Sequence, residues 1–404
     1  MVTQTIPYRT PPFSIDEVRE LLHTYGSPVY IYDGDRLRQT IDRISQSVSY
    51  PHTQFRFASV TNGNVSLLQI FCQCGWGLHA NTPGDAFLGL QAGFHPSQIV
   101  YSGSNLNGTE FEQLLDWGIA TFNLDSIAQI RLFGEVLTRV NPSFSPRLGL
   151  RLNLPEITGD SRIGVRPSEF PDAITVADSY GLKIEGLHFY RGTGTNATPA
   201  FTEVIQPVLA ACRQLPDWNY LDFGGGFGYP YRTGGAAFEW ETFGEQLTLA
   251  LTELGRDMEL IIEPGRSAIA GCGTLLATVV SVKWHDGKQI LGVDTTVGNL
   301  SVPSVHGGYR EIVCWANAEE PLYLTDVCGN TTYSRDYLGR NCQLPALQPG
   351  DILAILDVGA YGYAMSSHFL HRPRPAEVLW EKGRHRVIRW REDYSILLDG
   401  QVGN

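Results

Sequence analysis

The chain has 404 residues, 43% of them hydrophobic and 18% charged, with a formal net charge of -12. That length exceeds the ~250–300 residues at which one core stops growing, so two domains are expected, and the ordinary apolar fraction excludes a disordered chain. An acidic balance without a basic stripe repels phosphate backbones, which excludes nucleic acid as the expected partner and leaves a small molecule or another protein.

The first clear strand is Val29–Tyr32, a short apolar run placed to join a sheet formed later in the chain. From Tyr30 to about Thr274, apolar runs alternate with longer amphipathic stretches, as when helices join parallel strands. The predicted strands are Phe55–Ala58, Gly77–Ala80, Ile99–Tyr101, Thr121–Asn123, Arg147–Leu152, Ile184–Tyr190, Tyr220–Phe223 and Glu259–Ile262. Eight such units predict a closed (β/α)8 barrel. Val65–Cys74 and Asp125–Val140 carry helical spacing, the second with Asp125-Ser126 as its cap. After about Ala277 the pattern turns to alternation and hairpin signals: Val279–Trp284, the turn His285-Asp286-Gly287, then Ile290–Val293. Ile352–Leu356 and Ile388–Trp390 add strands. The expected organisation is a segment 1–32 joining a β domain, a barrel over 33–274, and a C-terminal all-β domain over 275–404.

Seven scattered cysteines, odd in number, read as free thiols of a reducing compartment, and the Cys72/Cys74 pair lacks the second cluster of a zinc site, so no metal is expected. No apolar leader and no run of ~18 apolar residues is visible, so the expectation is a cytoplasmic protein without a membrane span. Of 30 Lys and Arg residues only Lys183, Lys283, Lys288 and Lys382 are lysines, which limits the chemistry available.

Three stretches carry a chemical signal. Leu221-Asp222-Phe223-Gly224-Gly225-Gly226-Phe227-Gly228 follows a strand, where side-chain-free backbone either wraps amides around an anion or simply makes a tight turn. Glu263-Pro264-Gly265-Arg266 ends the next strand: the guanidinium suits a phosphate and the carboxylate a pyridinium proton, unless the two pair with each other. Asp357-Val358-Gly359-Ala360-Tyr361 ends a later strand and leaves the Tyr361 hydroxyl either to a phosphate or to a core edge, and Thr193 is either a further donor or an exposed loop residue.

Taken together these stretches resemble the fold-type III, alanine-racemase-like, pyridoxal phosphate decarboxylases. This is the group of the diaminopimelate, ornithine and arginine enzymes. The likeness runs from about Pro28 to Leu379 and also includes Pro28–Asp33, Ala92-Gly93-Phe94, Pro349-Gly350-Asp351 and Arg372–Val378, the last most like the diaminopimelate branch. It implies that Gly224, Gly225, Gly226, Arg266, Thr193 and Tyr361 hold cofactor phosphate while Glu263 meets the pyridine nitrogen. It also implies a rewritten reaction centre. The family writes Tyr-Ala-Val-Lys-Ala-Asn where this chain has Phe57-Ala58-Ser59-Val60-Thr61-Asn62, so Val60 replaces the lysine that holds the cofactor covalently. The ring-stacking histidine falls on Tyr190, the catalytic cysteine on Thr332, an aspartate and a serine on His79 and Thr82, and the substrate-gripping arginine of the diaminopimelate branch on Val302.

Two functions follow. The first is a diverged enzyme that keeps a noncovalent pyridoxal 5′-phosphate or another phosphorylated ligand, with an amino acid or related small molecule as partner and a homodimer as assembly. His79 is then a candidate acid or base, against a merely packed histidine; Tyr190 stacks or donates, and Thr332 with Asp336 reaches across the dimer. The alternative is a noncatalytic homologue acting as a regulatory or binding partner.

Overall fold

A computed structural model describes residues 9–192, 194–315 and 320–403. Two compact units emerge, one built from Arg38–Tyr229 with Ala236–Ala268, the other from the stretch ending at Leu37, Pro230–Gly235 and the stretch from Ile269 onward. Among the described residues no helix is long and apolar enough to cross a membrane.

Strand β1 (Val29–Asp33) belongs to the second unit, and the next eight strands make the first. These are β2 (Thr53–Ala58), β3 (Gly77–Ala80), β4 (Ile99–Tyr101), β5 (Thr121–Leu124), β6 (Arg147–Arg151), β7 (Ile184–His188), β8 (Tyr220–Asp222) and β9 (Glu259–Ile262). All pair in parallel in chain order, and Thr53 against Leu260 closes the ring as the expected eight-stranded barrel. Parallel strands are covered on both faces, which is why they read as short continuous apolar runs. The helices between them start where a side-chain oxygen meets orphan amides: Asn64 accepts from Ser66 N, Thr82 and Asp85 form a capping box, and Ser126 accepts from Gln129 N. Asp125 does not share that cap; its carboxylate accepts from Ser104 Oγ at 2.6 Å.

The barrel interior is filled, not hollow. The Tyr220 ring is fully buried with Val100 and Ile261, and its hydroxyl donates to Asn123 Oδ1 at 2.8 Å. It lies so close to β6 and β7 that a Cβ at Gly149 would stand 2.2 Å from its hydroxyl and one at Gly186 would stand 2.0 Å from its ring.

The second unit holds β10 (Gly273–His285), β11 (Lys288–Val293), β12 (Ile312–Cys314), β13 (Tyr323–Cys328), β14 (Tyr337–Leu344), β15 (Ile352–Leu356), β16 (Ala376–Glu381) and β17 (Arg384–Arg389). With β1 they form a nine-stranded sheet in the order β14-β13-β11-β10-β1-β16-β17, and β15 bridges β10 and β12. The early strand does complete this sheet: β1 runs antiparallel to β10 and parallel to β16. Its Val29 and Ile31 enter a core with Phe13, Val18, Leu21, Leu276, Val313, Leu356 and Val378. Asp286 and Gly287, with φ of 50° and 78°, make the two-residue turn between β10 and β11. The strand expected at Ile388–Trp390 instead spans Arg384–Arg389, because a turn at Lys382 (φ 53°) and Gly383 (φ 69°) sends an exposed, arginine-rich edge back along β16. The strand expected to reach Tyr190 stops at His188.

Gly186→Ala should cost at least ~1–3 kcal/mol through overpacking against Tyr220, since neither backbone nor ring can withdraw. A thermal melt of the variant should show a clearly lowered midpoint, whereas the same change at Gly181, with nothing within 4 Å of the added carbon but a φ of 69°, reports backbone strain alone.

Candidate functional site

Side chains at the C-terminal ends of barrel strands converge on the barrel mouth, where loops are free to vary without disturbing the packed interior. There, His79 is the third residue of β3, His188 ends β7, Asp222 ends β8, and Glu263 follows β9 directly. All four are at least nine-tenths buried. Glu263 Oε2 lies 2.9 Å from His79 Nδ1 and 3.2 Å from His188 Nε2. The His188 contact has hydrogen-bond geometry, with the imidazole N–H donating; the His79 contact is close but off the ideal direction. The rings of the two histidines sit edge to face at 6.0 Å. Asp222 accepts from Asn123 Nδ2 and from Gly224 N, both at 3.0 Å, and ligand-capable atoms of His188, Asp222 and Glu263 all lie within 4.8 Å of one another.

Burial governs the charges here. It pushes the Asp222 carboxyl well above the usual range, and the neighbouring Glu263 pushes it further. Burial also acts to raise Glu263, but His79 and His188 outweigh it and hold this carboxyl well below its ordinary value. Burial drives His188 down to about 4 against the opposing pull of Glu263. Glu263 Oε1 is buried and meets no amide, imidazole, guanidinium or alcohol donor among the described residues.

The glycine loop is fitted against this cluster. Gly224 and Gly226 have φ of 67° and 101°, a region costly for side-chain-bearing residues. A Cβ at Gly224 would stand 1.9 Å from Phe189 O, at Gly225 2.6 Å from Glu263 O, and at Gly226 2.6 Å from Gly192 O. Gly224 turns the chain and ties it down, its N–H donating to Asp222 and its carbonyl accepting from Glu263 N at 2.8 Å. Arg266 opens a short helix, Arg266–Ile269, and runs beside Gly194, where an added Cβ would meet its Nε at 3.1 Å. Tyr190 lies just past β7 with the Arg151 guanidinium 5.0 Å over its ring, and burial pushes its hydroxyl up while Arg151 pulls it down. Thr193 lies outside the described residues.

Of the sequence-derived site residues, the barrel unit thus brings together His79, Glu263 and the glycines, with Tyr190 on a loop and Arg266 at a helix start beside them. The others lie in the β unit. Tyr361 sits in the turn after β15 at φ 57°. Thr332 is exposed on a loop that Asp336 holds together: its buried carboxylate accepts from Thr296 Oγ1, Val297 N, and both the amide and hydroxyl of Thr331. That commitment leaves Asp336 a structural occupation not visible in the sequence. His188, Asp222, Asn123 and Arg151 went unread as site residues. Their signal is a single polar letter inside or ending an otherwise apolar strand, as in Leu187-His188 and Leu221-Asp222.

Val60 occupies the turn Ser59–Thr61 immediately after β2 and is 45% exposed. Lys183, the one lysine of the barrel unit, precedes β7 at the opposite end and pairs at the surface with Asp178 (2.8 Å) and Asp217 (3.9 Å). Lys288 pairs with Asp326 at 2.8 Å, Lys283 faces Ile290 across the β10–β11 hairpin, and Lys382 lies in the turn before β17.

A base whose folded value lies below its unfolded one binds the proton more tightly when unfolded, so His188 contributes stability that is complete above its ordinary 6.5 and is lost as pH falls towards about 4. Urea unfolding should therefore show falling stability across that window, and His188→Gln should flatten the decline while lowering stability at pH 7.5.

The family model of the pyridoxal-dependent decarboxylase pyridoxal-binding domain matches residues 35–270. Diaminopimelate decarboxylase of Methanothermobacter thermautotrophicus is 32% identical over 401 residues, covering 95% of this chain and 93% of the relative. The corresponding protein of Aquifex aeolicus is 28% identical, with 98% and 96% covered. Among solved structures, diaminopimelate decarboxylase of Helicobacter pylori complexed with L-lysine superposes with a TM-score of 0.88 at 27% identity, covering 95% of this chain and 98% of that one. With the closed barrel, the nine-stranded sheet and the buried Glu263 cluster in place, these matches place the chain in the fold-type III pyridoxal-dependent decarboxylases, within the diaminopimelate decarboxylase family.

Proposed function

We propose that this member of the family binds pyridoxal 5′-phosphate, or a closely similar phosphorylated ligand, without a covalent lysine anchor and carries altered lyase-type chemistry on an amino-acid ligand. The observation that carries the reading is a contrast at one barrel mouth: an orphaned buried acceptor and a side-chain-free loop are present, and the side chain at position 60 is a hydrocarbon. The residues fit the cofactor. Glu263 Oε1 is an acceptor suited to a ring N–H, on a carboxylate held low by the neighbouring imidazoles, and the side-chain-free loop packs so closely on Glu263 O and Gly192 O that a Cβ at Gly225 or Gly226 would stand 2.6 Å from them.

When bound, pyridoxal 5′-phosphate supplies an electron-withdrawing ring that stabilises negative charge at the carbon losing its carboxylate. Gly225, Gly226 and Arg266 bind the phosphate, with Gly224 shaping the loop, and Tyr361 and Thr193 are assigned to it by motif likeness. Glu263 would hold the ring nitrogen and Tyr190 would lie beside the ring, and Arg151 fixes the Tyr190 ring by stacking on it. Valine offers no nucleophile, so Val60 would supply no covalent anchor to the cofactor. Thr332 keeps the reacting place that the motif assigns it, with Asp336 shaping its loop. A relative described with L-lysine bound supports an amino-acid ligand, and the buried, apolar Val302 supports a departure from diaminopimelate itself. A homodimer, the commonest symmetric assembly, and a reducing cytoplasm, suggested by seven free thiols, complete the reading.

Purified protein incubated with pyridoxal 5′-phosphate should bind it reversibly, and borohydride treatment should leave the protein mass unchanged. Val60→Lys should instead acquire a borohydride-stable pyridoxyl group at residue 60. A stable adduct on any of the four native lysines would return the chain to ordinary lysine-anchored chemistry. Arg266→Ala should weaken wild-type binding by about ten-fold or more, as loss of a charge-assisted phosphate contact does, measured by equilibrium dialysis.

A further inference from the structure

The strongest feature is the contact between His79 and Glu263. We infer that His79 is a positioning residue that holds Glu263 as an oriented anion, and that the pair selects aromatic ligands carrying a ring N–H over otherwise identical ligands that lack it. The inference rests on the proposed reading of the barrel mouth and deepens it.

Glu263 is 1% exposed and would be costly as an isolated ion. Its neighbours are distributed unevenly. His79 Nδ1 and His188 Nε2 both lie against Oε2, at 2.9 and 3.2 Å, so the carboxylate is braced from β3 and β7 on one oxygen. Oε1 is buried with no hydrogen-bond donor against it among the described residues and is the atom left for a ligand. The backbone is braced as well: Glu263 N donates to Gly224 O, which ties the acceptor to the glycine loop and sets ring end and phosphate end in one rigid piece. His188 is itself locked at 0% exposure. His79, slightly more open at 7% and held through its carbonyl by Ser59 Oγ at 3.1 Å, is the brace reached from the turn that carries Val60. A buried acceptor left unfilled is penalised far more than a satisfied one is rewarded, so a ligand without the ring N–H is rejected.

The test compares pyridoxal 5′-phosphate with its 1-deaza analogue, in which the ring nitrogen is a C–H, by equilibrium dialysis on the full chain. Wild type should prefer the nitrogen ring by at least about ten-fold. His79→Ala and Glu263→Gln should erase most of that preference while still binding both compounds, and His79→Asn, which restores a short N–H donor, should recover part of it. A merely structural histidine would weaken both compounds equally and leave their ratio unchanged; that result overturns the inference with the cofactor reading intact. Failure of wild type to bind either compound overturns both. A stoichiometric transition metal that copurifies with wild type and is lost in both His79→Ala and Glu263→Gln also overturns it, since Glu263 would then be a metal ligand.

Discussion

A carboxylate carried into a barrel mouth where water scarcely reaches is the constraint on which the rest of this site depends. Two imidazoles face one oxygen of Glu263 and hold its carboxyl below the ordinary value, while the neighbouring Asp222 is pushed up. Each of those partners is itself fixed by something further out: Asp222 by Asn123 and Gly224, Asn123 by the Tyr220 hydroxyl, Tyr220 by glycines on β6 and β7. The polar network therefore extends from the mouth into the packed interior, and its geometry inherits the rigidity of the barrel.

Much of the architecture can be read from residue patterns alone. The strands at Gly77–Ala80, Ile99–Tyr101 and Glu259–Ile262 coincide with their apolar runs because both faces of a parallel strand are covered, so nothing polar blurs their ends. β13 and β14 escaped notice, and β17 was read only at its end, for the converse reason: exposed faces carry residues such as Arg340, Asn341, Arg384 and Arg386, which mask the two-residue period. Site residues follow the same logic. The glycine loop and Glu263–Arg266 stand out as runs, whereas His188 and Asp222 are single letters whose meaning depends on which strands become neighbours. Asp336 shows the reverse error, since a motif position cannot reveal that four donors already surround its oxygens.

A fold can keep its means of holding a ligand while the residues that act on that ligand change. Holding depends on backbone shape and on charges buried among many neighbours, where almost any substitution is expensive. Val60 stands in the turn Ser59–Thr61 and is 45% exposed, so fewer constraints of burial act on its side chain.

The position of β1 has a consequence for biosynthesis. Its two neighbours in the sheet lie about 240 and 350 residues downstream, at β10 and β16. β1 is thus synthesised long before the strands that satisfy its hydrogen-bonding edges. Until the final strands emerge, Val29 and Ile31 present an apolar edge that only a chaperone or a premature partner can cover.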